Sequence, residues 1–347
     1  MRLRPVLLAL AVLCGFCSSA AAQANQKEPG LTLAWVGDIA YNSASGLPAG
    51  GPQSALAPIR GLLASDFTMG NLEGTLGSSG TTKCHGQHDC FAFQAPARYA
   101  AAFHGLGFRL FNQANNHAND AGPAGIRATD DALRAAGILR AGIGSAITRV
   151  TVNGIRLAIV GFSPYRWSPP LLDRAAAARI IRRADQGADV VIALIHAGAE
   201  GANKVHVHYG NEYAYGENRG DVRHFAHTVI AAGADLVLGS GPHVIRGIER
   251  FHDRLIAYSL GNFAGFHTLG TGGTTALSGI LRLKIDRAGR VLAGRWISVR
   301  LAPPGLPRPD PSHASAHLVA ALSRADFGKD RYLIKRDGTF LFPQRPV

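Results

Sequence analysis

Apolar and polar positions along this chain follow two periods. Short apolar runs of strand length recur, as "LTLAWVGD" at 31–38, "FRLFNQAN" at 108–115, "DVVIALIH" at 189–196 and "ADLVLGS" at 234–240. Near-continuous hydrophobicity of this kind predicts strands buried on both faces. Stretches with helical spacing lie between them. "SALAPIRGLLAS" and "APARYAAAFHGLG" predict helices, as does "GPAGIRATDDALRAAG", which has proline near its start and glycine at its end. Further helices are expected from about Leu171 to Asp185 and around Val222 to Ala232. Asn153-Gly154 between β-rich runs predicts a hairpin. "RLIAYSLGNF" predicts one strand, and "ALSGILRLKID" and "VLAGRWISV" an antiparallel pair across "RAGR".

Strands alternating with helices, together with hairpins, define an α/β domain with a mixed sheet. It is expected over residues 25–302. A C-terminal extension, 303–347, opens with the proline-rich linker "PPGLPRPDP" and continues as one helix and a hairpin at Asp337-Gly338. The alternation is interrupted once, by the polar, Tyr- and His-rich segment from Asn203 to Gly220, a candidate substrate-covering loop.

Composition narrows the picture. With 47% hydrophobic and 17% charged residues, the chain can bury a large core, which excludes global disorder. Its first 24 residues carry two arginines, an apolar run and then small residues, the order of a secretory signal peptide. An exported protein, periplasmic or extracellular, is therefore expected, with an uncleaved membrane anchor as the alternative. Without Arg2 and Arg4 the formal charge falls from +13 to +11, a surplus that suits anionic envelope polymers or phosphoesters. No nucleic-acid recognition motif accompanies it. Cys84 and Cys90 are close enough in sequence for a local disulfide, the expected outcome in an oxidising compartment; His85 and His88 between them leave a metal site as the alternative.

The unusual polar residues fall where predicted strands end, the edge at which α/β sheets gather their binding loops. Asp38 ends the first strand, and Asn71 and Glu73 lie in "FTMGNLEG". Asn116 and His117 follow "FRLFNQAN", His196 ends "VVIALIH", His243 follows "ADLVLGSGP" and Asn262 ends "IAYSLGN". Each residue alone has a simpler reading: Asp38 a cap or turn, Glu73 a solvated carboxylate, the histidines buried and bonded to backbone. Their repeated placement favours one shared cleft. Two carboxylates, amide oxygens and imidazoles together suit Mn, Zn or Fe(II) better than the harder Ca or Mg. A cation there polarises a phosphoryl or carbonyl oxygen, and a nearby histidine can handle the leaving group's proton. "GSGPH" around Ser240 lacks the full nucleophile elbow of a serine hydrolase.

Six segments, "VGDI" at 36–39, "NLEG" at 71–74, "NNHANDAG" at 115–122, "IHAGAE" at 195–200, "GADLVLGSGPHV" at 233–244 and "YSLGNF" at 258–263, occur in an order that resembles the poly-γ-glutamate capsule-synthesis (CapA-type) family. That resemblance implies the metallophosphatase-type fold, a two-sheet α/β sandwich with flanking helices. By position it implies Asp38, Glu73, Asn116, His196 and His243 as ligands of one or two divalent transition metal ions, and His117 as the catalytic histidine. Glu200 and Asn262 would support the ligands or touch substrate. It also implies work on an envelope polymer or phosphoester beside membrane-bound capsule-synthesis partners, as a hydrolase or as a non-catalytic polymer-binding subunit. The chain departs from the pattern at Ala40 and Ser240, where histidines are usual, and at Ala197, where tryptophan is.

Overall fold

The computed structural model describes residues 30–86 and 90–341; the leader expected over 1–24 and His88 lie outside the described residues. Strand Leu31–Ala40 lies inside the first sheet, pairing in parallel with Phe67–Leu72 and antiparallel with Leu277–Ile285. The sheet continues through Phe108–Asn112 to Leu139–Ala141 on one side, and through Val291–Ala302 to Leu306–Pro309 on the other. The second sheet runs in the order Ile248–Phe251, Arg254–Ala257, Leu236–Ser240, Val190–His196, Ile155–Phe162, Thr148–Val152, and its four central strands are parallel.

The apolar runs explain this layering. Successive side chains of a strand point to opposite faces. Leu31, Leu33 and Trp35 therefore meet Ile192, Leu194, Leu236 and Leu238 in the core between the sheets. Ala34 and Val36 turn the other way, into a cluster with Tyr99, Phe103 and Leu133 from the helices outside. On the far side, Ala177, Ile181, Phe225 and Val229 from helices Arg174–Asp185 and Val222–Ala231 cover Val160, Val191 and Val237. Each such large apolar side chain contributes about 1.5–3 kcal/mol when fully buried. The result is the expected two-sheet α/β sandwich with flanking helices. Trp35 adds a polar tie between the sheets, since its indole N–H donates to the Gly239 carbonyl at 3.1 Å.

Most expected elements are present. The hairpin of Thr148–Val152 and Ile155–Phe162 turns at Asn153 and Gly154, whose φ values of 50° and 75° are those a two-residue primed turn needs. The stretch expected as one strand, "RLIAYSLGNF", is two. Arg254–Ala257 belongs to the second sheet, whereas Asn262–Gly265 pairs with Leu31–Ala40 in the first. Gly261, at φ 69°, makes the break, and its carbonyl accepts from the Asp38 N–H at 3.0 Å. A Cβ on Gly37 would sit 1.9 Å from that carbonyl, so only glycine fits. Part of the proline-rich stretch is also more than a connection, because Leu306–Pro309 forms an outer strand, a position proline tolerates. Helix Ala314–Phe327 then docks on both sheets. Trp296 Nε1 donates to Ser315 Oγ at 2.9 Å, and the Ile248 N–H donates to Ser323 Oγ at 2.8 Å. Cys84 and Cys90 are disulfide-bonded, as expected. Among the described residues, no helix is long and apolar enough to cross a membrane.

Candidate metal centre

The parallel strands of both sheets deliver their C-terminal ends to one place. Asp38 and Asn71 are register partners on adjacent strands, as are His196 and Ser240 in the other sheet. Asn262 is opposite Asp38. Asp38, Glu73 and His243 offer ligand atoms that all lie within 4.8 Å of one another. His196 completes the group, with Nε2 3.4 Å from Glu73 Oε1 and Nδ1 3.9 Å from Asp38 Oδ1. His243 Nδ1 lies 3.2 Å from Asp38 Oδ2 and 3.8 Å from Glu73 Oε2. Asp38, Glu73 and His196 are completely buried.

Hydrogen bonding tests whether a cation belongs here. Glu73 Oε1 and Oε2, Asn116 Oδ1 and His196 Nε2 are buried atoms with no hydrogen bond. Leaving such groups unsatisfied costs roughly 1–3 kcal/mol each, and more for charged ones. Carboxylate and imidazole lone pairs are thus left unbonded side by side at Glu73 and His196, donors that suit a borderline divalent ion. Asp38, Glu73, His196 and His243 are within a few ångströms of one another and fit such an ion.

Other side chains hold these in place. Asn71 Nδ2 donates to Asp38 Oδ1 at 2.8 Å, and Asn71 Oδ1 accepts from Asn112 at 3.0 Å and Asn115 at 3.2 Å. Asn262 Oδ1 is 2.9 Å from His243 Nδ1, while its amide group reaches the Thr275 carbonyl at 3.2 Å. His243 has a left-handed backbone, φ 59°, an uncommon state for a side-chain-bearing residue that this hydrogen bond helps fix. Ser240 Oγ, where an imidazole was expected from the family pattern, is 3.3 Å from His196 Nδ1 and donates to the Ile195 carbonyl at 3.2 Å.

The electrostatics follow from burial and crowding. Burial opposes charge on Asp38, yet the hydrogen bond and positive charge of His243 hold its carboxyl below the usual range. Burial, followed by the neighbouring Asp38 charge, pushes Glu73 well above it. Burial drives His196 down to about 3, so its imidazole is neutral and can act as a ligand. His243 moves the other way despite burial, because Glu73, Asp38 and Glu200 surround it with negative charge. The cluster therefore attracts a positive charge, whether a proton on His243 or a metal ion.

His117 stands beside Asn116, and its ring is held. Nδ1 is 2.8 Å from Asp120 Oδ2, the Phe93 ring lies 4.3 Å away, and burial lowers its pKa in spite of Asp120. Helix Gly122–Ala135, which follows, starts without a side-chain cap, and the Asp120 carboxylate faces His117. Glu200 lies 3.7 Å from His243 Nε2 and 2.6 Å from Nη1 of Arg219, a buried arginine in the polar 203–220 segment. Arg219 was not foreseen, since nothing in "YGENRGD" marks its arginine as turned inward. The His117-to-Asp120 spacing was a visible signal for that pair. His206, also in the 203–220 segment, pairs with Asp326 of the C-terminal helix at 2.7 Å.

The fold and site define an α/β two-sheet protein with a buried carboxylate–amide–imidazole cluster at its strand ends. The family pattern described as bacterial capsule synthesis protein PGA_cap matches residues 32–206 and 204–266, and the chain belongs to that family. Capsule biosynthesis protein CapA of Bacillus anthracis is 30% identical over 45% of this chain and 40% of its own length. PGA biosynthesis protein CapA of Bacillus subtilis is 29% identical over 58% of this chain and 53% of its own. The match thus spans about half the length of these relatives. A probable polyglutamine synthesis accessory protein of Mycobacterium tuberculosis is 31% identical over 69% of this chain and 66% of its own. Among solved structures, a phosphatase from Mycoplasma pneumoniae is similar with TM-score 0.49 and 11% identity, covering 82% of this chain and 96% of that one. A 5'-nucleotidase precursor from Thermus thermophilus gives TM-score 0.45 and 15% identity, with 85% and 59% covered.

Proposed function

We propose that this protein is an exported, metal-dependent hydrolase that acts on a phosphoester or anionic polymer of the cell envelope during capsule production. The carrying observation is the unbonded, buried atoms of Glu73 and His196 beside Asp38 and His243. Asp38, Glu73, Asn116, His196 and His243 would hold one or two Mn, Zn or Fe(II) ions. A divalent ion in such a site supplies Lewis-acid polarisation of a phosphoryl or carbonyl oxygen and acidifies water. The chain's own residues do the rest. Asp120 orients the His117 ring through Nδ1, leaving Nε2 to exchange a proton with the leaving group. Asn71 fixes Asp38, and Asn262 fixes His243. The basic surface draws the anionic substrate in, and membrane-bound capsule-synthesis proteins are the expected partners.

Assay of a generic phosphodiester with added Mn tests this reading. His117→Ala should lower turnover by about 10²-fold or more with metal content unchanged. Unchanged turnover would remove His117 from the role. A second reading is favoured by Ala40, Ala197 and Ser240, which lack the side chains usual at those family positions. On it, the cleft is a non-catalytic polymer-binding site in a capsule synthesis or export complex. Poly-γ-glutamate binding that survives complete metal removal, with no hydrolysis, would select it.

A further inference from the structure

Two of the three groups on the Asp120 carboxylate come from a single segment that the site description leaves without a role. Lys83 Nζ lies 2.6 Å from Asp120 Oδ1, and the Phe93 backbone N–H donates to Asp120 Oδ2 at 2.6 Å. The third is His117 Nδ1. The same two residues reach further. The Lys83 N–H donates to the Asp120 carbonyl at 2.7 Å, and the Phe93 ring lies on the His117 imidazole at 4.3 Å and 31°. The Cys84–Cys90 disulfide joins the stretch that follows Lys83 to the stretch that precedes Phe93. Its surroundings clasp the segment closely. A Cβ on Gly80 would meet the Ala121 carbonyl at 1.9 Å, and one on Gly74 would meet the Phe93 carbonyl at 2.8 Å.

We propose that this disulfide-closed segment positions His117, with Lys83 and Phe93 as its contact residues and Asp120 as the group through which Lys83 acts. The inference rests on the proton-transfer role given to His117 above. A buried carboxylate with only the imidazole beside it could rotate or turn to other donors. Lys83 and the Phe93 N–H occupy those alternatives, so Asp120 Oδ2 stays aimed at Nδ1 and the ring keeps one tautomer. The Phe93 ring limits its tilt. The disulfide ties Cys84, next to Lys83, to Cys90, close to Phe93, and so keeps both contact residues in place at once, the fixing that site residues need.

The test uses the full chain in two forms: a Cys84→Ser, Cys90→Ser double variant, and Lys83→Ala with Lys83→Arg as its conservative control. The first readout is the ¹⁵N signal pattern of His117 at neutral pH, assigned by comparison with His117→Gln. Wild type should show a single tautomer with the proton on Nδ1, and the disulfide-free and Lys83→Ala proteins should show averaged tautomers, with Lys83→Arg restoring the wild-type pattern. The second readout is phosphodiester turnover. Lys83→Ala should lower kcat by about 10-fold with KM and metal content unchanged. An identical His117 pattern in wild type and Lys83→Ala would overturn the proposal, whether or not the double variant folds. Wild type without hydrolysis, but with the single tautomer lost in Lys83→Ala, would count against the proposed activity and leave the positioning intact.

Discussion

Two buried glutamates in this molecule are treated in opposite ways. Glu249, at 2% exposure, receives Arg223 at 3.0 Å, His227 at 2.9 Å and the Tyr258 hydroxyl at 2.6 Å. Burial opposes its charge, but these donors hold its carboxyl below the usual range. Glu73 is equally buried and has no hydrogen bond on either oxygen, so burial and Asp38 push its carboxyl up. Glu249 is satisfied from within the chain and serves the fold. Glu73 has both oxygens free of hydrogen bonds, as the proposed metal site requires. This difference, rather than burial or residue type, separates the structural carboxylate from the candidate ligand.

Exchanging the carboxylates for neutral groups should break this comparison most clearly. Glu73→Gln should abolish metal binding and lower hydrolysis by about 10³-fold, or about 4 kcal/mol of transition-state stabilisation. Its stability in chelator should be no lower than that of wild type, because the change removes a buried acid and no hydrogen bond. Glu249→Ala should do the reverse, costing about 3 kcal/mol in denaturant unfolding while metal content per folded chain stays the same. Equal stability losses in chelator would show that the two glutamates do the same job.

Smaller changes sharpen the account. Asn262→Ala frees His243 and should weaken metal affinity by about 10- to 100-fold, as read by competition with a chelating dye. Asp189 supplies a control remote from the strand-end cluster. Hydrogen bonds from Arg156 pull its carboxyl down to about 2. With its folded pKa below the ordinary value, its stabilisation is present above about pH 4 and is lost as pH falls towards 2. Arg156 is exposed, so Asp189→Asn should lower stability only slightly at pH 7 and less still below about pH 2, with metal binding unaffected.

How much of this was legible in the sequence depended on range. Apolar runs such as "DVVIALIH" carry their own strand signal, and polar residues at their ends placed Asp38, His196 and His243 at one edge. "RLIAYSLGNF" was misread because its apolar character continues through the break. What divides it is the close passage of Gly261 over Gly37, a contact 224 residues apart in sequence. The role of Asp120 depends in part on residues far from it in sequence, since its carboxylate is shared by His117, Lys83 and Phe93. Arg219 stayed hidden in a polar stretch, since only the fold turns it towards Glu200. Local pattern reveals the scaffold; residues that hold the site depend on which distant segments meet.

The central claim is that these unbonded buried atoms exist to bind a divalent metal ion. Elemental analysis of the purified protein measures this directly, with Asp38→Ala and His243→Ala in parallel. Wild type should carry at least one equivalent of Mn, Zn or Fe per chain, and both variants should lose it. Wild type that stays metal-free after incubation with each of these ions would contradict it.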